Sequence, residues 1–515
     1  MAASMGFARA FSRVGFFERD DLAAVGSNSG GSWFLTRFAY EADFFHAVTQ
    51  GSMAAFYNFT LKMFEGYNEF VDLQPPPPPT DILTRFITAF IDILDGVGLK
   101  NSDLEIYSRA ALGIAEHGYS WKNFSTNLYP QSVATLPATM QTRGGLKGPQ
   151  LNFQISSLPA AYVETQGAFG KTKLDIQWLL RSPSEEVANQ DGTYAGALPL
   201  QWVVPGESTS ASANGAGWFQ PGDSEGNFHA DFVGLRRSLV PDPDPNFKSV
   251  EPTALPMDLN VTMVGAMSSA AVGLMGSPLM LLQALKHYGV LEAVMESRLP
   301  FLDCAFKDVL YGRVNVGVSR LAICSGGEGP FDRCPHPETK YADGVYVDNL
   351  AAAQTVANLQ SKFGRKAPIR LVLTDNNGPE DGPRADIAAL FDGLNGVEPG
   401  AFTPSMFGIL APSPQIFEAN YTDLDWTNVS ASGGRTFQVA NISTTTILNP
   451  TFDVLDGTPI EVLIFAIDTD LPMLGTSVPG QWGAPSHAQQ FARLAKSTAD
   501  EPITQKLKEW LSYTA

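Results

Sequence analysis

The sequence predicts an α/β fold, a mixed central sheet with helices on both faces, carrying an irregular inserted region. Three observations lead there. Short apolar runs bounded by Gly, Asp or Asn recur along the second half of the chain (Val261 to Val264, Arg320 to Cys324, Ile369 to Thr374 and Val462 to Ile467) and read as buried strands. Helical patterns at 278–288, 350–363, 384–391 and 487–496 fall between or after them, and strands alternating with helices call for a sheet covered on both faces. With 44% hydrophobic and 17% charged residues in 515, the chain has the material for a large core.

The elements follow in order. Asp21 to Gly26 is a short strand, the small residues Ser27 to Ser32 turn it, and Trp33, Phe34, Leu35, Phe38 and Tyr40 continue at helical spacing. A second helix spans about Met53 to Phe70. Pro75 to Pro79 break it with a stiff polyproline run, after which Thr80-Asp81 caps an amphipathic helix from Ile82 to Leu94. Residues 140–250, rich in Gly, Ser, Pro and Asp, read as an insertion or covering layer within a single domain spanning 1–515; Leu200 to Val204 is a strand inside it.

Charge narrows the function classes. Thirty-four Lys and Arg against 53 Asp and Glu give −19, the wrong sign for a nucleic-acid binder, which displaces counterions with a basic surface. It equally disfavours simple electrostatic adhesion to an anionic membrane. Three cysteines make no disulfide framework. The first residues lack an apolar stretch of signal-peptide length. Leu259 to Ala284 is uncharged but rich in Gly and Ser, so it reads as buried strand and helix rather than a membrane span.

The strongest chemical signal is Ser27-Asn28-Ser29-Gly30-Gly31-Ser32-Trp33. A serine on a sharp strand-to-helix turn holds its hydroxyl out, and the following N–H, here on Gly30, points at a developing oxyanion near a helix N-terminus. Read alone, the same residues also suit a Gly/Ser turn with Ser29 as helix N-cap. Ser325-Gly326-Gly327 and Ser432-Gly433-Gly434 share the surface pattern but lack a following helix; the second reads as a hairpin loop. Two groups offer themselves as base. His487, opening the last helix, completes a Ser…Asp…His order, whereas Asp343-Gly344 places a carboxylate before a turn.

Taken together, these fragments resemble the cytosolic phospholipase A2 and fungal phospholipase B (lysophospholipase) family of the patatin-related clan. Gly26 to Trp33 is similar to its serine elbow, and Ala342-Asp343-Gly344 followed by Asn349 to its Asp-Gly motif. Val264 to Ala271, Ile369 to Asp375 and His117 to Lys122 are weaker echoes. The resemblance implies a Ser29–Asp343 dyad, an oxyanion hole that includes Gly30, an acyl-serine intermediate and no cofactor. It implies glycerophospholipid or lysophospholipid substrates met at a membrane or micelle surface. The family's glycine-rich oxyanion strand has only Met5-Gly6-Phe7-Ala8-Arg9 as a remnant here, which makes Gly6 the second oxyanion candidate; Ser27 replaces a family glycine. A noncatalytic lipid-binding relative and a Ser-Asp-His hydrolase using His487 are the alternatives. Phe44-Phe45, Phe56 and Phe86 to Phe90 suit either an acyl groove or ordinary core. The proline spacing of Pro241 to Pro245 excludes an EF-hand. Sequons at Asn58, Asn123, Asn260, Asn420, Asn428 and Asn441 hint at a secretory route, in which Cys324 and Cys334 would be free to pair.

Overall fold

The computed structural model describes residues 1–72, 143–158, 198–204, 206, 217–219, 261–269, 319–322, 338–376, 384–393, 413–431, 436–449, 452–467 and 485–512. These residues form a mixed α/β structure with two mixed sheets. The first has β1 (Ala24–Ser27), β2 (Gln150–Leu158), β3 (Leu198–Val204), β4 (Gly217–Phe219), β5 (Ser319–Ala322) and β6 (Glu338–Asp343). The second has β7 (Ile369–Asp375), β8 (Thr427–Ser430), β9 (Thr436–Thr445) and β10 (Pro459–Ile467), in the order β7-β10-β9-β8. Strand β10 runs parallel to β7 and antiparallel to β9.

Strand β2 is the axis of the first sheet. Leu151, Phe153 and Ile155 alternate with Asn152, Gln154 and Ser156, the period-2 pattern of a strand with two different faces. Along one edge it pairs with β3 from Leu151 to Ser157. Along the other it takes two partners in succession: β1, parallel, against Gln150 to Phe153, and β6, antiparallel, against Ile155 to Leu158. The segment expected to be a covering layer therefore supplies the strand on which the sheet is built. Buried Arg143 fixes its approach, donating to the carbonyls of Lys147 and Pro149 before the strand and of Val204 on β3.

The helices are α1 (Ala2–Ser12), α2 (Gly30–Tyr40), α3 (Ala42–Thr49), α4 (Met53–Asp72), α5 (Val261–Ser268), α6 (Ala353–Phe363), α7 (Ala385–Asp392), α8 (Pro485–Thr498) and α9 (Glu501–Ser512). Helix α6 covers one face of the first sheet, where Gly26 meets Ala351 and Thr355. On the other face lie α2 and α5, reached by Ser27 and by Phe153 on the strand beside it. The run Val261 to Val264, expected as a strand, is helical: eight uncharged small and apolar residues without β-sheet partners wind into α5, buried against α2 and β2. Helix α1 packs its Phe7 and Phe11 on Phe465 of β10, with ring centres 6.2 and 5.9 Å apart, and so joins the second sheet to α8 and α9.

Other expectations meet the structure closely. The strands at 320–324, 369–374 and 462–467 correspond to β5, β7 and β10, and the helices at 350–363, 384–391 and 487–496 to α6, α7 and α8. Ser430 pairs with Thr436 across the hairpin expected at Ser432-Gly433-Gly434. Phe44 and Phe56 are fully buried core, and Phe45 packs on Phe38 at 4.8 Å. The capped helix at 82–94, the helix at 278–288, Phe86 to Phe90, and the cysteines 304, 324 and 334 lie outside the described residues.

Candidate active site

The two residues expected to form a dyad come together through strand register. Ser27, the last residue of β1, lies opposite Phe153; Asp343, the last of β6, lies opposite Ile155. Both strands run toward Gln154 from opposite directions along the same edge. The chain leaving β1 and the chain leaving β6 therefore emerge side by side, one residue of β2 apart. At about 3.4 Å of rise per residue, the two strand ends are separated by about 7 Å along the sheet.

Ser29 has φ 50° and ψ −126°. This is a strained conformation for a residue with a side chain, costing on the order of 1–3 kcal/mol. What imposes it is visible. The Ser29 N–H donates to Ser268 O at 3.2 Å, its carbonyl accepts from the Ser32 and Trp33 N–H groups, and Gly31 N–H returns to Asn28 O at 2.8 Å. Gly26 cannot carry a side chain, because a Cβ there would stand 2.9 Å from Thr355 Oγ1 and 3.1 Å from Ala351 O. The Ser27 hydroxyl meets Ser32 Oγ at 3.1 Å, Ser32 Oγ meets Ser268 Oγ at 2.7 Å, and Ser268 donates to Gln154 O at 2.6 Å. A chain of buried hydroxyls thus ties the turn to α5 and to the centre of β2.

Asp343 is buried, and its Oδ1 accepts from Val345 N–H at 2.9 Å. Its Oδ2 is buried without a hydrogen bond. The half-buried Ser29 hydroxyl stands near enough to favour the ionised form, though no hydrogen bond between the two is formed. Such contacts are often loose before substrate binds. Burial dominates and pushes Asp343 up to about 7, against smaller opposing effects of the Val345 N–H, the Ser29 hydroxyl and the Asn28 amide. Gly344 is required by close approach: a Cβ would fall 2.3 Å from Asn28 Oδ1 and 2.8 Å from Gln154 O. Asp348, five residues on, accepts from Leu350 N–H at 3.1 Å and Ala353 N–H at 2.8 Å and so caps α6; burial raises it to about 6.

Gly30 N–H has no acceptor among the described residues and starts α2, so it is free to meet an oxyanion. Its Cα faces Met1, with a Cβ position 3.0 Å from Met1 N, and burial lowers that amine to about 5. Gly6 does not join it. The segment Met5 to Arg9 is helix, not a glycine-rich strand, and Gly6 is the contact point of α1 with α8: a Cβ would overlap Thr498 Oγ1 and Ala495 O. Buried Arg9 donates to the carbonyls of Val48, Gln50 and Gly51, closing the C-terminal end of α3. Both residues serve packing. Helix α8, which includes His487, packs between α1 and α4.

Sequence reasoning missed the polar layer beneath the site. Gln154 Nε2 donates to Gln354 Oε1 at 2.7 Å, Gln201 Nε2 to Gln154 Oε1 and Thr355 Oγ1 at 3.1 Å each, and Asn152 Nδ2 to Thr355 Oγ1 at 3.2 Å. These fully buried amides lock β2 and β3 to α6, and a wholly bonded buried amide network has one arrangement rather than many. The alternation Leu151-Asn152-Phe153-Gln154-Ile155-Ser156 was the available signal.

Among the described residues no group of His, Cys, Asp and Glu side chains is placed to hold a metal, and no helix is long and apolar enough to cross a membrane. The described sequon residues Asn58, Asn420, Asn428 and Asn441 are all exposed. Comparison of the chain with known protein families, curated proteins and solved structures gives no match.

Proposed function

We propose that the protein is a serine acyl-ester hydrolase in which Ser29 is the nucleophile and Asp343 its general base. The observation that carries this reading is the convergence of β1 and β6 on Gln154, which sets a strained serine elbow beside a buried carboxylate. Asp343 takes the Ser29 proton as Oγ attacks the ester carbonyl; the tetrahedral oxyanion forms toward Gly30 N–H; the alcohol leaves with the proton and an acyl-serine remains, which water cleaves by the same steps. A carboxylate held near 7 is a better matched base than one near 4, since half of it is still basic at neutral pH while its proton affinity is far higher.

Glycerophospholipids or lysophospholipids are the substrates we assign, on the likeness of both motifs to the phospholipase A2 and phospholipase B family, with a patatin-like arrangement of the sheet. The reading is tested with a fluorophosphonate probe and with phospholipid and lysophospholipid micelles. Labelling and fatty-acid release that vanish in Ser29→Ala and drop by two or more orders of magnitude in Asp343→Asn support it. Equal activity in the wild type and both variants removes it. One finding favours a second reading, a noncatalytic lipid-binding relative: Gly6 sits in a helix interface and contributes no oxyanion donor. That reading predicts binding to lipid vesicles with no labelling of Ser29 at any pH.

A further inference from the structure

The residue before the elbow serine has a role the dyad alone does not explain. Asn28 is buried, and its Nδ2 donates to Asn349 Oδ1 at 2.8 Å. Asn349 in turn donates from Nδ2 to Asp386 Oδ2 at 2.6 Å. Asp386 lies in the first turn of α7, where the free N–H groups of a helix favour negative charge. The Asn28 amide oxygen, Oδ1, is buried without a donor and lies against Gly344, the residue after Asp343.

Chemistry fixes the direction of this chain. Asn349 gives its NH2 to Asp386 Oδ2, which leaves its carbonyl oxygen to accept from Asn28. Asn28 must then present its own NH2. One of those hydrogens meets Asn349; the second makes no hydrogen bond to Asp343 in this structure and is available to its unpartnered Oδ2, since the amide lies against Gly344, the next residue.

We propose that Asn28 and Asn349 are positioning residues, forming a relay through which the Asp386 carboxylate holds the donor side of the Asn28 amide toward Asp343. The relay rests on the dyad reading and deepens it: the elbow residue and its base are aligned by a carboxylate on a separate helix, α7. Among the described residues, the groups bearing directly on Asp343 are Ser29, Asn28 and the Val345 N–H. The nearby titratable groups point elsewhere, Asp348 into the start of α6 and the Met1 amine toward Gly30.

The test uses Asp386→Asn, which keeps the shape but can either donate or accept, so the direction of the chain is lost. Asp343 is titrated by infrared difference spectroscopy of its carboxyl band, wild type minus Asp343→Asn, in parallel with the pH dependence of fluorophosphonate labelling. We expect Asp386→Asn and Asn28→Ala each to move the titration of Asp343 upward by about one unit, and Asp386→Glu to restore it. Removing a negative charge by field effect alone would move it downward, so the sign separates the relay from plain repulsion. A folded Asp386→Asn protein whose Asp343 titrates unchanged, or lower, overturns the proposal. Should the wild type show no labelling at any pH, the hydrolase reading fails, while the infrared titration still decides the relay.

Discussion

Replacing Asp343 by Asn gives the sharpest test of the electrostatics, because it needs no substrate. In the folded protein burial holds the carboxyl protonated up to about 7, whereas the unfolded chain releases that proton near the ordinary 3.8. Between these values the folded state binds more protons, so the stabilising contribution is fully present below 3.8 and is lost as pH rises through 7. Three units at 1.36 kcal/mol each give a loss on the order of 4 kcal/mol above pH 7. Asn keeps the shape and an oxygen for the Val345 N–H, and has no proton to lose. The stability of Asp343→Asn relative to wild type should therefore grow with pH. From pH 5, just above the sequence pI of 4.7, to pH 8 the growth should be about 3 kcal/mol. Urea unfolding followed by fluorescence across that range measures it; Asp348 titrates in both proteins and cancels. Two stability curves that run parallel from pH 5 to 8 would refute the assignment of Asp343 as a desolvated carboxyl.

Further outcomes follow from the same geometry. The acid limb of hydrolysis should fall near pH 7 through Asp343; because a histidine would give a limb in the same range, His487→Ala is the decisive comparison, and its profile should match the wild type. Gly6→Ala should destabilise the fold by about 1–3 kcal/mol in chemical denaturation, by prising α1 from α8, and leave the rate of Ser29 labelling within twofold. Ser268→Ala removes a partner from Ser32 Oγ and from Gln154 O, a loss of about 1–3 kcal/mol, and should also slow labelling by loosening the turn that Ser268 O anchors. Gly344→Ala forces Asn28 and the Gln154 backbone away from Asp343, so labelling should fall more than tenfold even where circular dichroism shows a folded protein.

Local signals in the chain were readable where local physics decides the outcome. The turn at Ser27 to Ser32, the strands β7 and β10 and the helices α6, α7 and α8 all declare themselves through periodicity and bounding Gly or Asp. Long-range pairing does not. Nothing in residues 150–158 announces that this strand sits between β1, β3 and β6, because its apolar face is only three residues long and its polar face is satisfied by Gln201, Gln354 and Thr355 from distant segments. The segment 261–268 shows the reverse error: uncharged small residues suit a strand or a helix equally, and burial against α2 selected the helix. Gly6 was misread because a glycine between apolar residues marks close backbone approach without saying to what; here the neighbour is α8.

The head-to-head meeting of β1 and β6 makes β2 a ruler. Residues 29 and 343 are 314 positions apart in the chain, yet the strand ends that carry them are spaced by the two residue steps from Phe153 to Ile155. A change of chain length that leaves both pairings intact leaves that measurement untouched. One residue added or removed at Gln154 itself would turn Ile155 and its neighbours to the opposite side of the sheet and carry the acid away from the alcohol. Tolerance to changes of length is therefore least where such a change would shift the register of β1 or β6 on β2.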